Sequence, residues 1–205
     1  EGLEAVPPDP VLYVCNHLSN ADGLTLQRAL RPRRAWFLAG VKLQQTAMTR
    51  LATETVDTIF IRPGSPDIEA LRRAVDTLKE GRSILVFPEG GRSRTASLMR
   101  AQKGVSLIAQ RAGVPIVPVA LTGTETLMPI DDTNMGGERL HHARIDVRFG
   151  APLTLEALKA ETHGAEDARQ ALTDAVMRRV AAMLPPAYRG VYADEASAPP
   201  GEGQG

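Results

Sequence analysis

Apolar residues occur along this chain in short runs that turn-forming residues separate. Each run spans four to seven residues and is rich in Val, Ile, Leu or Phe, which is typical of strands buried within a sheet. These runs are residues 11–16, 36–39, 58–61, 83–87 and 115–121. Residues 145–149 instead alternate strictly between apolar and polar side chains, which predicts an edge strand with one exposed face.

Between the strands, apolar residues recur every three or four positions and so predict helices with one buried face. The predicted helices are a short one that ends near residue 30 and longer ones over 43–51, 65–80, 103–112 and 168–183. Pro66 suits the first position of the third of these helices, and Gly81 and Gly113 are typical stop signals.

Strands that alternate with helices indicate an α/β fold. We therefore expect a single domain over residues 1–192, built on a mixed, largely parallel sheet flanked by helices. Residues 193–205 are polar and rich in Gly and Pro, which predicts a disordered tail. In such a fold the loops at the strand ends are where chemistry is expected.

Composition narrows the class of protein. The 205 residues are 43% hydrophobic and 23% charged, with zero net charge, so nothing overall points to nucleic acid. No apolar run approaches the ~20 residues that span a bilayer, so any membrane contact is predicted to be peripheral, at the cytoplasmic face. The chain begins with Glu1 rather than methionine, which leaves open an anchor upstream of residue 1.

Positive charge is concentrated in one stretch of the chain. Residues 90–124 contain no Asp or Glu but five basic residues, Arg92, Arg94, Arg100, Lys103 and Arg111. Segregation of one sign beside a glycine turn indicates an anionic ligand or an anionic surface. The alternative is an arginine-rich face without a ligand.

The segment 16–22 contains the first candidate for catalysis. His17 and Asp22 are five residues apart and would lie about 140° apart on a regular helix, but a turn between them could bring them together. Asp22 could then hold one imidazole nitrogen and leave the other to accept a proton. Alternatively, Asp22 only caps the following helix.

The loop 87–94 is the second candidate, because it follows a predicted strand. Gly90 and Gly91 allow the backbone to approach a ligand closely, and Arg92 offers a planar donor suited to phosphate. Glu89 is expected to fix an arginine or to bind a ligand hydroxyl. The alternative is an ordinary glycine turn with a surface ion pair.

Taken in order, these segments resemble the lysophospholipid acyltransferase family over about residues 2–122. The segment 16–22 is similar to that family's NHxxxxD block, residues 60–62 to its second block, 87–92 to its FPEGTR block, and 114–121 to its proline-containing fourth block. Lys103 stands where the family has a lysine–glycine pair.

The resemblance implies specific roles. His17 would be the general base and Asp22 would orient it, while Arg62, Glu89, Gly90, Gly91, Arg92 and Lys103 would bind the acceptor. The donor would be acyl-CoA or acyl carrier protein, the acceptor a lysophospholipid such as 1-acylglycerol 3-phosphate, and no cofactor would be needed.

Two departures from the family pattern concern the acceptor. Gly91 replaces the usual threonine, and the second block lacks the acidic residue that normally precedes its arginine. Another acceptor, such as a lyso-ornithine lipid or a glycolipid, therefore stays open, as does a catalytically silent lipid-binding module.

The sequence also bears on two other chemistries, covalent catalysis by a cysteine and metal binding. Cys15, the only cysteine, would share a strand face with His17 and could form an acyl-enzyme, although buried cysteines are usually inert. A metal site is not expected, because the chain has no CxxC or HExxH pattern.

Overall fold

The computed structural model describes residues 1–8, 10–40, 57–62, 67–131 and 138–193. Within these ranges the chain forms a six-stranded sheet in the order β3-β2-β4-β1-β5-β6. The strands are β1 (Leu12–Cys15), β2 (Ala35–Gly40), β3 (Thr58–Ile61), β4 (Ser83–Val86), β5 (Ile116–Thr122) and β6 (Asp146–Phe149). All neighbours pair in parallel except β5 and β6, which confirms the predicted mixed, largely parallel sheet and places the alternating segment at its edge.

Helices connect most of the strands and flank the sheet. The described α-helices are α1 (Asp22–Ala29), α2 (Ile68–Lys79), α3 (Gly104–Ala112), α4 (Thr124–Leu127), α5 (Leu155–Glu161) and α6 (Ala168–Met183). Single turns of 3₁₀ helix occur at Leu3–Ala5, Pro186–Tyr188 and Gly190–Tyr192.

The helix boundaries agree with the sequence in some places and differ in others. Helix α6 has the predicted bounds, and α3 ends at Gly113 in the left-handed conformation. Helix α2 begins at Ile68 rather than at residue 65, because the Asp67 side chain caps it by accepting the N–H of Ala70. The helix predicted over 43–51 and most of the tail predicted over 193–205 lie outside the described residues.

Strand β1 lies inside the sheet, and all four of its side chains are buried. Leu12 and Val14 point into a core formed with α2, α3 and α6, whereas Tyr13 and Cys15 point into the core under α1. A strand buried on both faces has no room to shift its register. The loop that follows β1 therefore starts from a fixed point.

No helix among the described ranges combines the length and the apolar character that crossing a membrane requires.

Candidate active site

Two loops meet at one end of the sheet because the strands before them are parallel neighbours. β1 and β4 pair Leu12 with Ile84 and Val14 with Val86, a separation of 72 positions along the chain. When the same register is continued past the strand ends, it brings His17 opposite Glu89. The N–H of His17 indeed donates to Oε1 of Glu89, at 2.9 Å.

The His17 ring is held by Asp22. Nδ1 lies 2.7 Å from Oδ2 of Asp22, and this same oxygen accepts the backbone N–H groups of Leu18 and Ser19 at 2.7 and 3.0 Å. Asp22 is the first residue of α1, but it closes the turn back to His17 rather than only capping the helix. With Nδ1 engaged, Nε2 is the ring nitrogen that can accept a proton.

Two further contacts fix the position of His17. Its carbonyl accepts the N–H of Ser93 at 2.8 Å, so both backbone polar groups of His17 bond to the loop after β4. The imidazole stacks on the Phe87 ring, with centroids 4.2 Å apart and planes 17° from parallel. The His17 side chain keeps 19% exposure, while that of Asp22 is fully buried. The ring is thus held rigidly and still faces solvent at one edge.

Glu89 organises the backbone rather than an arginine. Its two carboxylate oxygens accept the N–H groups of His17 and Met99, at 2.9 and 2.8 Å, and only 6% of the residue is exposed. Of the two roles expected for Glu89, the pairing with an arginine is therefore wrong, and the binding of a ligand hydroxyl stays a prediction. Burial raises the pKa of Glu89 to about 7, against an ordinary value of 4.5, although the two N–H donors and His17 oppose this shift.

Arg92 pairs with a carboxylate that is distant in the sequence. Its guanidinium donates to Oε1 of Glu138 at 2.7 Å, and its side chain is only 14% exposed. The other oxygen of Glu138 accepts the side-chain N–H of Asn20 at 2.5 Å. Asn20 lies between His17 and Asp22, so one carboxylate connects the two loops of the site.

Arg62 and Lys103 have other partners. Arg62 follows the edge strand β3, with β2 and β4 between it and β1, which corresponds to about 14 Å across the sheet. Its side chain is 75% exposed and pairs with Asp67. Lys103 precedes α3 and pairs with Asp167 at the start of α6. No described hydrogen bond or ion pair joins either residue to His17, and their acceptor-binding roles stay predictions.

The two glycines of the loop differ in what they require. Gly90 has a φ of +74°, which disfavours any residue with a Cβ, whereas a Cβ added at Gly91 would meet nothing within 4 Å. A threonine would therefore fit at position 91. The departure from the family pattern there is not imposed by space.

Cys15 is poorly suited to nucleophilic catalysis. The residue is fully buried, and burial raises the pKa of its thiol well above the ordinary value, with Asp22 and Glu89 adding to the effect. A thiol that stays protonated and inaccessible does not attack an acyl donor.

A groove with a volume of about 440 Å³ is lined by Leu18 and Ser93, the chain neighbours of His17 and Arg92, but not by His17 or Arg92 themselves. Leu18, Pro129 and Ile130 contribute apolar walls, and Ser93 and Arg94 contribute polar ones. The groove thus suits an amphiphilic molecule, with its apolar and polar parts bound side by side. In the described part of the chain, no three His, Cys, Asp or Glu side chains come together as a metal site.

Several residues of the site have roles that the sequence did not indicate. The Asn16 side chain donates to the carbonyl of Leu121 and accepts its N–H, both at 2.8 Å, and so continues the pairing of β1 with β5. Ser19 donates to the carbonyl of Met128. The only signal for Asn16 was its place beside His17, and nothing in the sequence signalled Glu138.

The family model and the relatives that match this chain, as described below, are all acyltransferases. The family model described as Acyltransferase matches residues 1–122. A chloroplastic 1-acyl-sn-glycerol-3-phosphate acyltransferase of Arabidopsis thaliana is 29% identical over 75% of this chain and 42% of its own length. The lyso-ornithine lipid O-acyltransferase of Pseudomonas aeruginosa is 34% identical over 57% of this chain and 44% of its own.

A solved structure extends the similarity to the fold. The crystal structure of the 1-acyl-sn-glycerophosphate acyltransferase of Thermotoga maritima superposes with a TM-score of 0.64 and 26% identity, over 88% of this chain and 69% of that one. This chain spans less than half the length of the two curated relatives described above.

The raised pKa of Glu89 predicts a pH-dependent contribution to stability. Between pH 4.5 and about 7 the folded state keeps the proton that the unfolded chain has released, so stability falls as pH rises through this window and levels off above it. The total change is about 3 kcal/mol. Urea unfolding of wild type and Glu89→Gln from pH 4.5 to 8 measures this difference.

The exposed Glu80→Gln provides the matched control and should run parallel to wild type. Parallel curves for wild type and Glu89→Gln would instead show that Glu89 titrates normally.

Proposed function

Since the chain belongs to the Acyltransferase family, we propose that it transfers a fatty acyl group from a thioester to the hydroxyl of a lysophospholipid, 1-acylglycerol 3-phosphate in the first instance. The observation that carries this proposal is the His17–Asp22 pair, with Nδ1 bonded to the carboxylate and the ring partly open to solvent. The next residue, Leu18, lines the groove. The product would be a diacylated phospholipid precursor, as in phospholipid synthesis.

The proposed reaction is a direct transfer. Nε2 of His17 takes the proton of the acceptor hydroxyl while that oxygen attacks the thioester carbonyl carbon. The tetrahedral intermediate then collapses, the carbon–sulfur bond breaks, and the imidazolium returns the proton to the leaving sulfur. Asp22 stabilises the imidazolium in between. The donor, acyl-CoA or acyl carrier protein, brings the activated acyl group, so the steps need no other reactant.

We assign binding of the acceptor headgroup to Arg92, which immediately precedes Ser93 and Arg94 of the groove wall. Arg92 is held close to the His17 loop through Glu138 and Asn20, and a guanidinium suits a phosphate headgroup. A lyso-ornithine lipid is the second candidate acceptor. The similarity to the Pseudomonas aeruginosa enzyme and the absence of a threonine hydroxyl at Gly91 favour it.

Because the acceptor is a lipid, we propose that the protein works at the cytoplasmic face of a membrane, as a peripheral protein in the described part of the chain. Leu24, which is 50% exposed on α1, supports this proposal, because it follows the catalytic loop directly. The apolar walls of the groove at Pro129 and Ile130 support it as well.

His17→Ala should abolish acyl transfer in a folded protein, because a general base contributes about 10²–10⁴-fold to the rate. Single-turnover assays with long-chain acyl-CoA and a lysolipid panel, scored by mass spectrometry, measure the effect. Cys15→Ala is the matched control, two residues away, and should keep wild-type activity. An active His17→Ala, or an inactive but folded Cys15→Ala, would contradict the direct mechanism.

Arg92→Ala should raise KM for the lysolipid and leave KM for the thioester unchanged. The loss of a charge-assisted contact corresponds to about a ten- to hundredfold increase. Arg92→Lys should recover only part of the affinity, because a point charge cannot reproduce a two-pronged contact. If KM for the donor rises instead, Arg92 serves the phosphates of a CoA donor, and the acceptor assignment is wrong.

Leu24→Asp should weaken sedimentation with anionic phosphatidylglycerol vesicles. An exposed apolar side chain that enters the interface is replaced by a charge that stays in water and is repelled by the lipid. Ile68→Asp is the control, since Ile68 is 70% exposed but lies on α2, a helix of the opposite face of the sheet. Equal loss in both variants, or no binding by wild type, would argue against docking through α1.

A further inference from the structure

Glu138 is a buried carboxylate outside every block of the family pattern. It lies beyond residues 1–122, which the family model matches, yet only 6% of the residue and 2% of its side chain are exposed. A buried carboxylate is costly unless donors satisfy its oxygens. The identity of those donors therefore indicates what this residue does.

The two side-chain donors come from the two loops of the site, while the backbone N–H of Asp131 makes a longer contact with Oε1, at 3.5 Å. Oε1 accepts from the Arg92 guanidinium at 2.7 Å, and Oε2 accepts from the Asn20 amide at 2.5 Å. Asn20 lies in the turn that carries His17 and Asp22, and Arg92 lies in the loop whose Glu89 and Ser93 hold the His17 backbone. Both loops are already joined at His17, and Glu138 joins them a second time.

The second junction holds a group that the first does not contact. Glu89 and Ser93 fix the backbone of His17, but neither of these contacts involves the guanidinium of Arg92. The ion pair with the buried carboxylate of Glu138 favours one orientation of that guanidinium and so pre-organises it for an anion. The contact with Asn20 holds the same carboxylate against the loop that carries His17, the proposed general base.

We propose that Glu138 is a positioning residue, which holds Arg92 and Asn20 on one carboxylate and thereby sets the affinity of the site for the anionic headgroup of the acceptor. It acts through Arg92 and touches no reacting atom. The expected effect of Glu138 on acceptor affinity rests on the proposed acyl transfer. The other expected effect, that Glu138 holds the two loops together, does not require any substrate.

A double-mutant cycle tests whether Glu138 acts through Arg92. Glu138→Gln alone should raise KM for the lysolipid about tenfold, with KM for the thioester unchanged. In the Arg92→Ala background the same substitution should raise it no further, because the group that Glu138 positions is absent. If the two effects multiply, or if kcat alone falls, Glu138 does not act through Arg92 and the proposal is overturned.

Glu161→Gln is the matched control for loss of a carboxylate–arginine pair. Glu161 accepts from Arg179 at 2.8 and 2.6 Å between α5 and α6, away from both loops, so its substitution should leave both KM values unchanged. If Glu138→Gln does not fold, Glu138→Asp keeps the charge but cannot reach both donors at once. It should shift the lysolipid KM in the same direction, and an unchanged KM in folded Glu138→Asp would also overturn the proposal.

Amide hydrogen exchange separates this proposal from the proposed function. Glu138→Gln should speed exchange in segments 17–22 and 89–93, whereas Glu161→Gln should not. If wild type acylates no lysolipid but this exchange pattern appears, the proposed function fails and the positioning role stands. If the protein is active but exchange in both segments is unchanged, the positioning role fails and the acyl transfer stands.

Discussion

Parallel pairing between β1 and β4 places residues 72 positions apart side by side, and the rest of the site depends on that register. Both strands lie inside the sheet and are buried on both faces, so a slip by one residue would exchange their side chains between two cores that are packed around different residues. Past the strand ends the same register leads to the bond between His17 and Glu89. The energy that holds His17 in place is thus largely hydrophobic burial, expressed through strand pairing.

Three buried carboxylates then fix the two loops that follow these strands. Asp22 closes the turn onto the His17 ring, Glu89 holds two backbone N–H groups, and Glu138 connects the side chains of Arg92 and Asn20. Glu89 and Glu138 each collect donors from separate parts of the chain, whereas the donors to Asp22 all lie within residues 17–19. In a region of low dielectric such bonds are strong, so the loops gain a defined geometry without regular secondary structure.

Several basic residues that are grouped along the chain are paired with carboxylates in the fold. In the sequence, the basic stretch 90–124 has no acidic residue, but in the fold Arg92, Arg100 and Lys103 meet carboxylates of Glu138, Asp174 and Asp167. All three acids follow the stretch in the sequence. Glu138 lies between α4 and β6, Asp167 caps α6, and Asp174 lies within α6. Segregation along the chain is therefore not segregation on the surface, and the case for an anion site rests on the position of Arg92 rather than on the number of basic residues.

The sequence by itself determined the fold class, the strands and most helices, because these follow from periodicity, which depends on neighbours along the chain. The spacing of His17 and Asp22 left both a pairing and a simple helix cap open. The family resemblance implied the pairing, and the tertiary structure brings the two side chains together. The sequence misplaced the start of α2, because the capping of the helix by Asp67 competes with the proline signal. For Glu89 it offered an arginine or a ligand hydroxyl as partner, whereas the carboxylate accepts backbone N–H groups of His17 and Met99. Glu138 lay beyond its reach, because a carboxylate that meets Asn20 and Arg92 does so only after the whole sheet has formed, and no local pattern records contacts over 118 and 46 positions.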